Sequence, residues 1–184
     1  MTIKSQLFQR SPQWRLNRQG LQLSMPVEVK SWVYERGSLT QRLRAIYGSE
    51  LKVTVLMQQW TKPFLAERML LNLPEYQYCL TREVILHAYE QPLILARTII
   101  PKHTVKLAHT NLAHLGNRPL GEVIFNCPNL LRQALAITTV IPGIWTTPIR
   151  TLAEINHGVW GRSTVYQVEH KPMLVNEFFL PSVL

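Results

Sequence analysis

Aspartate is missing from this chain. All eleven acidic side chains among its 184 residues are glutamates, and that omission removes much chemistry. Ser-His-Asp triads, aspartate-based phosphoryl-transfer sites and EF-hand calcium loops are excluded or strongly disfavoured. A Ser-His-Glu triad stays formally open, but no GxSxG elbow is present. GxGxxG and GxxxxGK[ST] are missing too, so neither usual nucleotide cradle is available. The two cysteines, Cys79 and Cys127, show no CxxC spacing. In a chain too large to need a staple they predict packed thiols in a reduced, intracellular protein. The histidines at 87, 103, 109, 114, 157 and 170 form no HExxH and no i, i+4 pair, so surface or satisfied side chains are expected rather than metal ligands. An enzyme built this way is expected to need no cofactor, neither metal nor nucleotide. No stretch approaches the ~18 apolar residues of a membrane span. The first residues, MTIKSQLFQRSPQWRLNRQG, contain no continuous apolar core of a secretory signal. A cytoplasmic protein without a membrane span is the resulting expectation.

What is present suits one domain with a real core. Apolar residues make up 46 % of the chain, enough for ordinary globular folding. Twenty Lys and Arg against eleven Glu give a formal charge of +9, which favours nucleic acid, anionic lipid or an acidic metabolite without choosing among them. Basic residues interleave with aromatics in QWRLNRQG and VWGRSTVYQ. No RNP motif, helix-turn-helix spacing or zinc module accompanies them, so a solvated basic surface is expected and nucleic acid is not. Trp160-Gly161-Arg162 reads as a packed turn entering a strand.

Residues 1–25 read as a basic, loosely ordered leader and residues 26–184 as the folded domain. An amphipathic patch runs from Val29 to Tyr47. Within it Ser38 is placed to cap a helix carrying Leu39, Leu43 and Ile46 on one face, and Gly48 to end it. LKVTVLMQQW (51–60) reads as a strand. YQYCLTREVILHAYE (76–90) and PLILARTIIP (92–101) predict an antiparallel hairpin around a short polar turn that ends at Pro92. HTVKLAHTNLAHLG (103–116) predicts a helix with a glycine stop, and RPLGEVIF opens another short element. STVYQVEH (163–170) and PMLVNEFFLP (172–181) give a second hairpin signal around Lys171-Pro172. The pattern is that of an α+β domain with an antiparallel sheet.

Three charges interrupt the most apolar strands. Arg82 shares a strand face with Val84 and Leu86, Arg97 with Leu95 and Ile99, and Glu177 with Val175 and Phe179. An unpaired charge in such surroundings costs several kcal/mol, on an order-of-magnitude scale. Two guanidiniums facing one site would hold a small dianion through planar forks, with the carboxylate addressing a third polar group. The competing reading makes the arginines snorkelling edge-strand residues and Glu177 a structural partner of one of them. Register is not readable from periodicity, so a shared sheet face stays open.

REVILHAYEQPLILARTIIP (82–101), LGNRPLGEVIF (115–125) and GVWGRSTVYQVEHKPMLVNEFFLP (158–181), with GSLTQRL (37–43) more weakly, resemble the chorismate lyase family. The resemblance runs in unbroken order through most of residues 30 to 181. It implies a single domain with a six-stranded antiparallel sheet and helical flaps over an enclosed ligand pocket. The implied activity converts chorismate to 4-hydroxybenzoate and pyruvate without a cofactor, for ubiquinone or plastoquinone precursors. Strong product inhibition is expected. By the same resemblance Arg82 takes the ring carboxylate, helped by the Leu120 backbone N–H. Glu177 meets the ring hydroxyl, Arg97 the enolpyruvyl carboxylate or departing pyruvate, and Leu39 lines the pocket where the family often has Met. Glu177 and Arg97 are the implied catalytic pair. Two departures stand out, an extended N-terminus and a longer segment from about Thr138 to Ala153 that would reshape a flap or build an oligomer contact. The rival reading is a non-catalytic ligand-binding module like the effector domains of GntR-type regulators, which resemble the same fold. No winged-helix segment is recognisable in the first residues, and Arg82, Arg97 and Glu177 together favour the enzyme.

Overall fold

Two tight hairpins organise the protein, whose computed structural model describes residues 4–17, 25–107 and 110–184. Strands β3 (Cys79–Ala88) and β4 (Gln91–Pro101) form the first, β8 (Val159–Val168) and β9 (Lys171–Phe179) the second. Each turns over two residues held at positive φ, Tyr89 and Glu90 (49° and 63°) and Glu169 and His170 (51° and 63°). That conformation matches the twist of the flanking strands, so it is tolerated even without glycine. Strand β4 pairs with β9 and joins the hairpins. The edges are extended by β2 (Lys52–Thr61) on β3, by β7 (Leu131–Val140) on β8 and by the two-residue β1 (Arg15–Leu16) on β7. Among the described residues the antiparallel sheet thus has seven strands in the order β1-β7-β8-β9-β4-β3-β2, one more than the six expected.

The extra strand comes from the supposed leader. Leu7 and Phe8 are buried, and Phe8 stacks against Trp145 and Phe178 at ring-centroid distances of 4.8 and 5.2 Å. Residues 4–17 therefore belong to the folded domain; Arg18 to Gln19 and onward to residue 24 lie outside the described residues. The expected helix over 103–116 is also replaced. Two-residue strands β5 (Lys106–Leu107) and β6 (Thr110–Asn111) pair there between single 3-10 turns. Val105, Leu107, Leu112 and Leu115 still reach the core, which is why the apolar spacing resembled a helix.

Helices cover both faces. On the front lie α1 (Val27–Val33), α2 (Leu39–Tyr47) and the single-turn α4 (Leu120–Ile124), with α3 (Leu65–Leu70) and α5 (Thr147–Leu152) on the back. Ser38 caps α2 by accepting from the Gln41 N–H, and Gly48 ends it at φ 56°. Leu39 and Leu43 are buried under α2, whereas Ile46 is exposed. The longer 138–153 segment packs on the back through Trp145, Ile149 and Ala153.

Candidate functional site

The front face of the sheet carries a largely apolar cavity. Its floor is strand side chains: Val84, Leu86, Ile94, Ala96 and Val175. Leu39 and Thr40 of α2, with Pro119, Leu120 and Gly121 at the start of α4, form the roof. The two roof helices approach closely because position 121 is glycine; a Cβ there would lie 2.9 Å from Thr40 Oγ1 and 3.0 Å from Ser38 Oγ. Arg44 Nε on α2 bridges to Glu122 Oε1 on α4 at 2.6 Å near the mouth.

Five polar side chains reach this apolar space: Arg82, Glu177, Thr40, Thr98 and Tyr166. Arg82 is 2 % exposed, and burial lowers its pKa from the ordinary arginine value. Its Nη1 donates to Gln58 Oε1 at 2.8 Å and its Nη2 to the Arg118 carbonyl at 3.3 Å. Gln58 is itself held through Nε2 by the Ala113 carbonyl at 2.7 Å. The fork is thus oriented from both ends, and its other N–H groups have no acceptor among the described residues. The N–H of Leu120 opens a helix and so has no intrahelical acceptor.

Glu177 faces the same cavity from β9. Register puts Arg82 opposite Thr98 and Thr98 opposite Val175, while Glu177 opposes Ala96. Two strand spacings and two residues along the strand set the Arg82 and Glu177 Cα atoms roughly 12 Å apart. Both side chains line the same cavity, one near each end of this diagonal. Behind Glu177, Arg162 Nε donates to Oε2 at 2.6 Å. Arg162 is 1 % exposed. Burial works against its charge, but Glu177, Tyr166 and Glu35 outweigh this and raise its pKa. Tyr166 accepts from Arg132 Nη2 at 3.0 Å, and burial, then the Glu177 charge, pushes its phenol pKa up.

Arg97 does not join this set. It lies on the back face, 0 % exposed, opposite Glu83 rather than Arg82. The cause is a bulge at Leu86/His87 that leaves Leu93 without a register partner on β3. Continued without a break, the Ala88–Gln91 pairing would have set Arg82 against Arg97; one extra residue turns Arg97 to the other side of the sheet. There Arg97 donates to Glu67 Oε1 (2.7 Å), Glu67 Oε2 (3.0 Å), Glu83 Oε1 (2.6 Å) and the Lys4 carbonyl (3.1 Å). Its guanidinium also sits over the Phe64 ring. The sequence-based assignment of Arg97 to the substrate is corrected by this placement. Arg162, Tyr166 and Gln58 were missed, although Arg162 and Tyr166 alternate along one strand and the two-residue turn at Glu169-His170 pairs Arg162 with Glu177. Among the described residues no group of three or more His, Cys, Asp or Glu could hold a metal ion.

The fold class defined by this sheet and its helices recurs in ligand-binding domains of transcription regulators. The effector domain of PhnF from Mycobacterium smegmatis superposes with a TM-score of 0.56 at 12 % identity, covering 79 % of this chain and 90 % of that one. A GntR-family regulator from Bacillus cereus gives 0.56 at 10 % identity, with 74 % and 95 % covered. At such identities the likeness concerns the fold alone. Sequence comparison is more specific: the chorismate lyase family model matches residues 11–184. A probable chorismate pyruvate-lyase of Methylococcus capsulatus is 42 % identical over 156 residues, 85 % of this chain and 96 % of the relative. One from Hydrogenovibrio crunogenus is 34 % identical, with 88 % and 86 % covered. The chain belongs to the chorismate lyase family.

Proposed function

We propose that the protein is a chorismate pyruvate-lyase that releases 4-hydroxybenzoate and pyruvate. One observation carries the reading: in a chain of this family, Arg82 and Glu177 share one sheet face and one cavity, spaced to bracket a ring with a carboxylate at one end and a hydroxyl at the other. Arg82 and the Leu120 N–H hold the ring carboxylate, Glu177 accepts from the ring hydroxyl and Leu39 closes over the ring. With Arg97 on the opposite face, the enolpyruvyl arm falls to the hydroxyls of Thr40, Thr98 and Tyr166. Tyr166 accepts from Arg132 and keeps its own proton to donate.

The reaction balances within the substrate. The ring C–O bond to the enolpyruvyl oxygen breaks and its electron pair leaves with enolpyruvate. The hydroxyl-bearing carbon gives up its hydrogen, the ring becomes aromatic, and the enolpyruvate methylene takes a proton to become the methyl of pyruvate. Aromatisation drives the step, so the balance calls for no cofactor. The protein supplies orientation, neutralisation of carboxylate charge and exclusion of water. The product keeps both groups gripped by Arg82 and Glu177, so strong product inhibition follows. We place this activity in the cytoplasm, at the head of a quinone pathway. Incubating the protein with chorismate in EDTA should yield pyruvate and 4-hydroxybenzoate in equal amounts. Tight 4-hydroxybenzoate binding by folded protein with no turnover would replace this reading with that of an effector-type module.

A further inference from the structure

Glu177 lines the cavity and is bonded from behind by Arg162. Arg162 stands opposite it across the β8–β9 ladder. Arg162 Nε takes Glu177 Oε2 at 2.6 Å. Its Nη1 meanwhile donates to the carbonyls of Trp32 (3.3 Å), Val33 (3.2 Å) and Glu35 (2.8 Å). Those carbonyls lie at and just beyond the C-terminal end of α1, where the helix presents partial negative charge to a cation. Glycine at 161 lets the strand pass beneath Phe178, whose ring would lie 2.5 Å from a Cβ there. Through its own bonds the guanidinium joins Glu177 to the end of α1 and the link that leads into α2. Glu177 Oε2 is occupied, and Oε1 has no hydrogen-bond partner among the described residues while its residue lines the cavity. A second arginine repeats the arrangement: Arg132 Nη2 donates to the same Glu35 carbonyl at 2.9 Å and to the Tyr166 hydroxyl at 3.0 Å.

We propose that Arg162 is the positioning residue of the site, fixing Glu177 by one oxygen so that the other faces the ligand as an acceptor, and thereby setting the demand for a hydroxyl para to the ligand carboxylate. This rests on the cavity being the chorismate site. Arg162 touches no ligand itself. It acts through Glu177, and its grip on the Trp32–Glu35 carbonyls ties that acceptor to the segment carrying Leu39 and Thr40. A freely rotating Glu177 would lose part of its hydrogen bond to the hydroxyl, because the side chain would have to be ordered anew with each ligand.

The test compares 4-hydroxybenzoate with unsubstituted benzoate by calorimetry. Benzoate keeps the group Arg82 holds and lacks the group Glu177 holds. Wild-type protein should prefer 4-hydroxybenzoate. Arg162→Gln should cut that preference about tenfold or more, the scale of a charge-assisted hydrogen bond, with benzoate affinity unchanged. Arg162→Lys should fall between, since an ammonium keeps charge near Glu177 but cannot span the carbonyls as well. Glu177→Gln should lose the preference, and adding Arg162→Lys to it should change nothing further. Equal weakening of both ligands would reduce Arg162 to a structural support and overturn the proposal, as would an intact preference in folded Arg162→Gln. If Arg162→Gln fails to fold, additive losses from Arg162→Lys and Glu177→Gln overturn it instead. Binding is read without turnover, so the lyase reading and this one fail separately. Preference without product formation sinks the lyase assignment and leaves Arg162 in its role, and product formation with preference unmoved in the variants does the reverse.

Discussion

Replacing Arg97 with methionine separates the two faces of the sheet most sharply. Among the described residues the guanidinium is the one cation in direct contact with two buried carboxylates, Glu67 at 2 % exposure and Glu83 at 0 %. Other donors share the surplus negative charge. Glu83 accepts from Ser5 Oγ and the Gln6 and Leu7 N–H groups, and Glu67 accepts from the Phe64 N–H and Asn176 Nδ2. Methionine keeps a long apolar stem against Phe64 but leaves both carboxylates without their cation. Breaking a buried pair from one side costs about 3–5 kcal/mol. That is a large share of the roughly 5–15 kcal/mol that stabilises a typical domain. At about 2–4 °C per kcal/mol for a chain of this size, the melting temperature should drop by ~6–20 °C. Residues 4–8, pinned through Lys4 and Ser5, should lose amide protection first.

The assay pairs thermal unfolding with calorimetric titration of 4-hydroxybenzoate, at a temperature where the variant is folded. Affinity should stay within about threefold of wild type, a difference under ~1 kcal/mol. Adding Glu83→Gln should recover part of the loss, because the second change removes the stranded charge. A melting temperature close to wild type combined with lost ligand binding would refute the reasoning and return Arg97 to the ligand.

Arg82→Lys keeps the charge but loses the fork oriented by Gln58 and Arg118, so 4-hydroxybenzoate affinity should fall by about 1–3 kcal/mol; unchanged calorimetric affinity would remove Arg82 from the site. Leu39→Ala opens the roof between α2 and α4 and should speed product release while weakening product binding. Rapid-mix kinetics should show a first-turnover burst in wild type that shrinks in this variant, and a linear wild-type progress curve would contradict release as the slow step. Burial, then the Glu67 charge, pushes the Cys79 thiol from 9.0 up to about 12. Between those values the unfolded chain holds fewer protons than the folded one, so stability falls as pH rises through this window and is independent of Cys79 below it. Cys79→Ala should flatten that alkaline decline in urea unfolding, and an identical decline would show that the thiol does not contribute.

Both hairpins were legible because alternating apolar residues flank short polar turns. The second turn falls at Glu169-His170 rather than around Lys171-Pro172, and that placement sets Arg162 against Glu177. The first turn misleads. Nothing around Leu93 announces the bulge, yet that single residue decides which face receives Arg97. The cavity's two ends, Arg82 and Glu177, were found because a charge within an apolar strand demands an explanation whatever its partner. Gln58 gave no such signal, since an uncharged polar residue on an edge strand is commonplace. The N-terminal residues were misjudged for a different reason. Leu7 and Phe8 are isolated among polar neighbours, and their burial depends on Glu83, Trp145 and Phe178, each distant in sequence. Residues 103–116 failed on periodicity, because four apolar side chains at near-helical spacing can point inward equally well from 3-10 turns and two-residue strands.

The central claim is that Arg82 and Glu177, on one face of the sheet, hold the two ends of a single ring. A crystal structure of the protein with 4-hydroxybenzoate tests it most directly. The ring should lie beneath Leu39 and Leu120, with its carboxylate on Arg82 and the Leu120 N–H and its hydroxyl on the Glu177 oxygen that Arg162 leaves free. Product bound on the back face against Arg97, or in the front cavity with its hydroxyl turned away from Glu177, would contradict it.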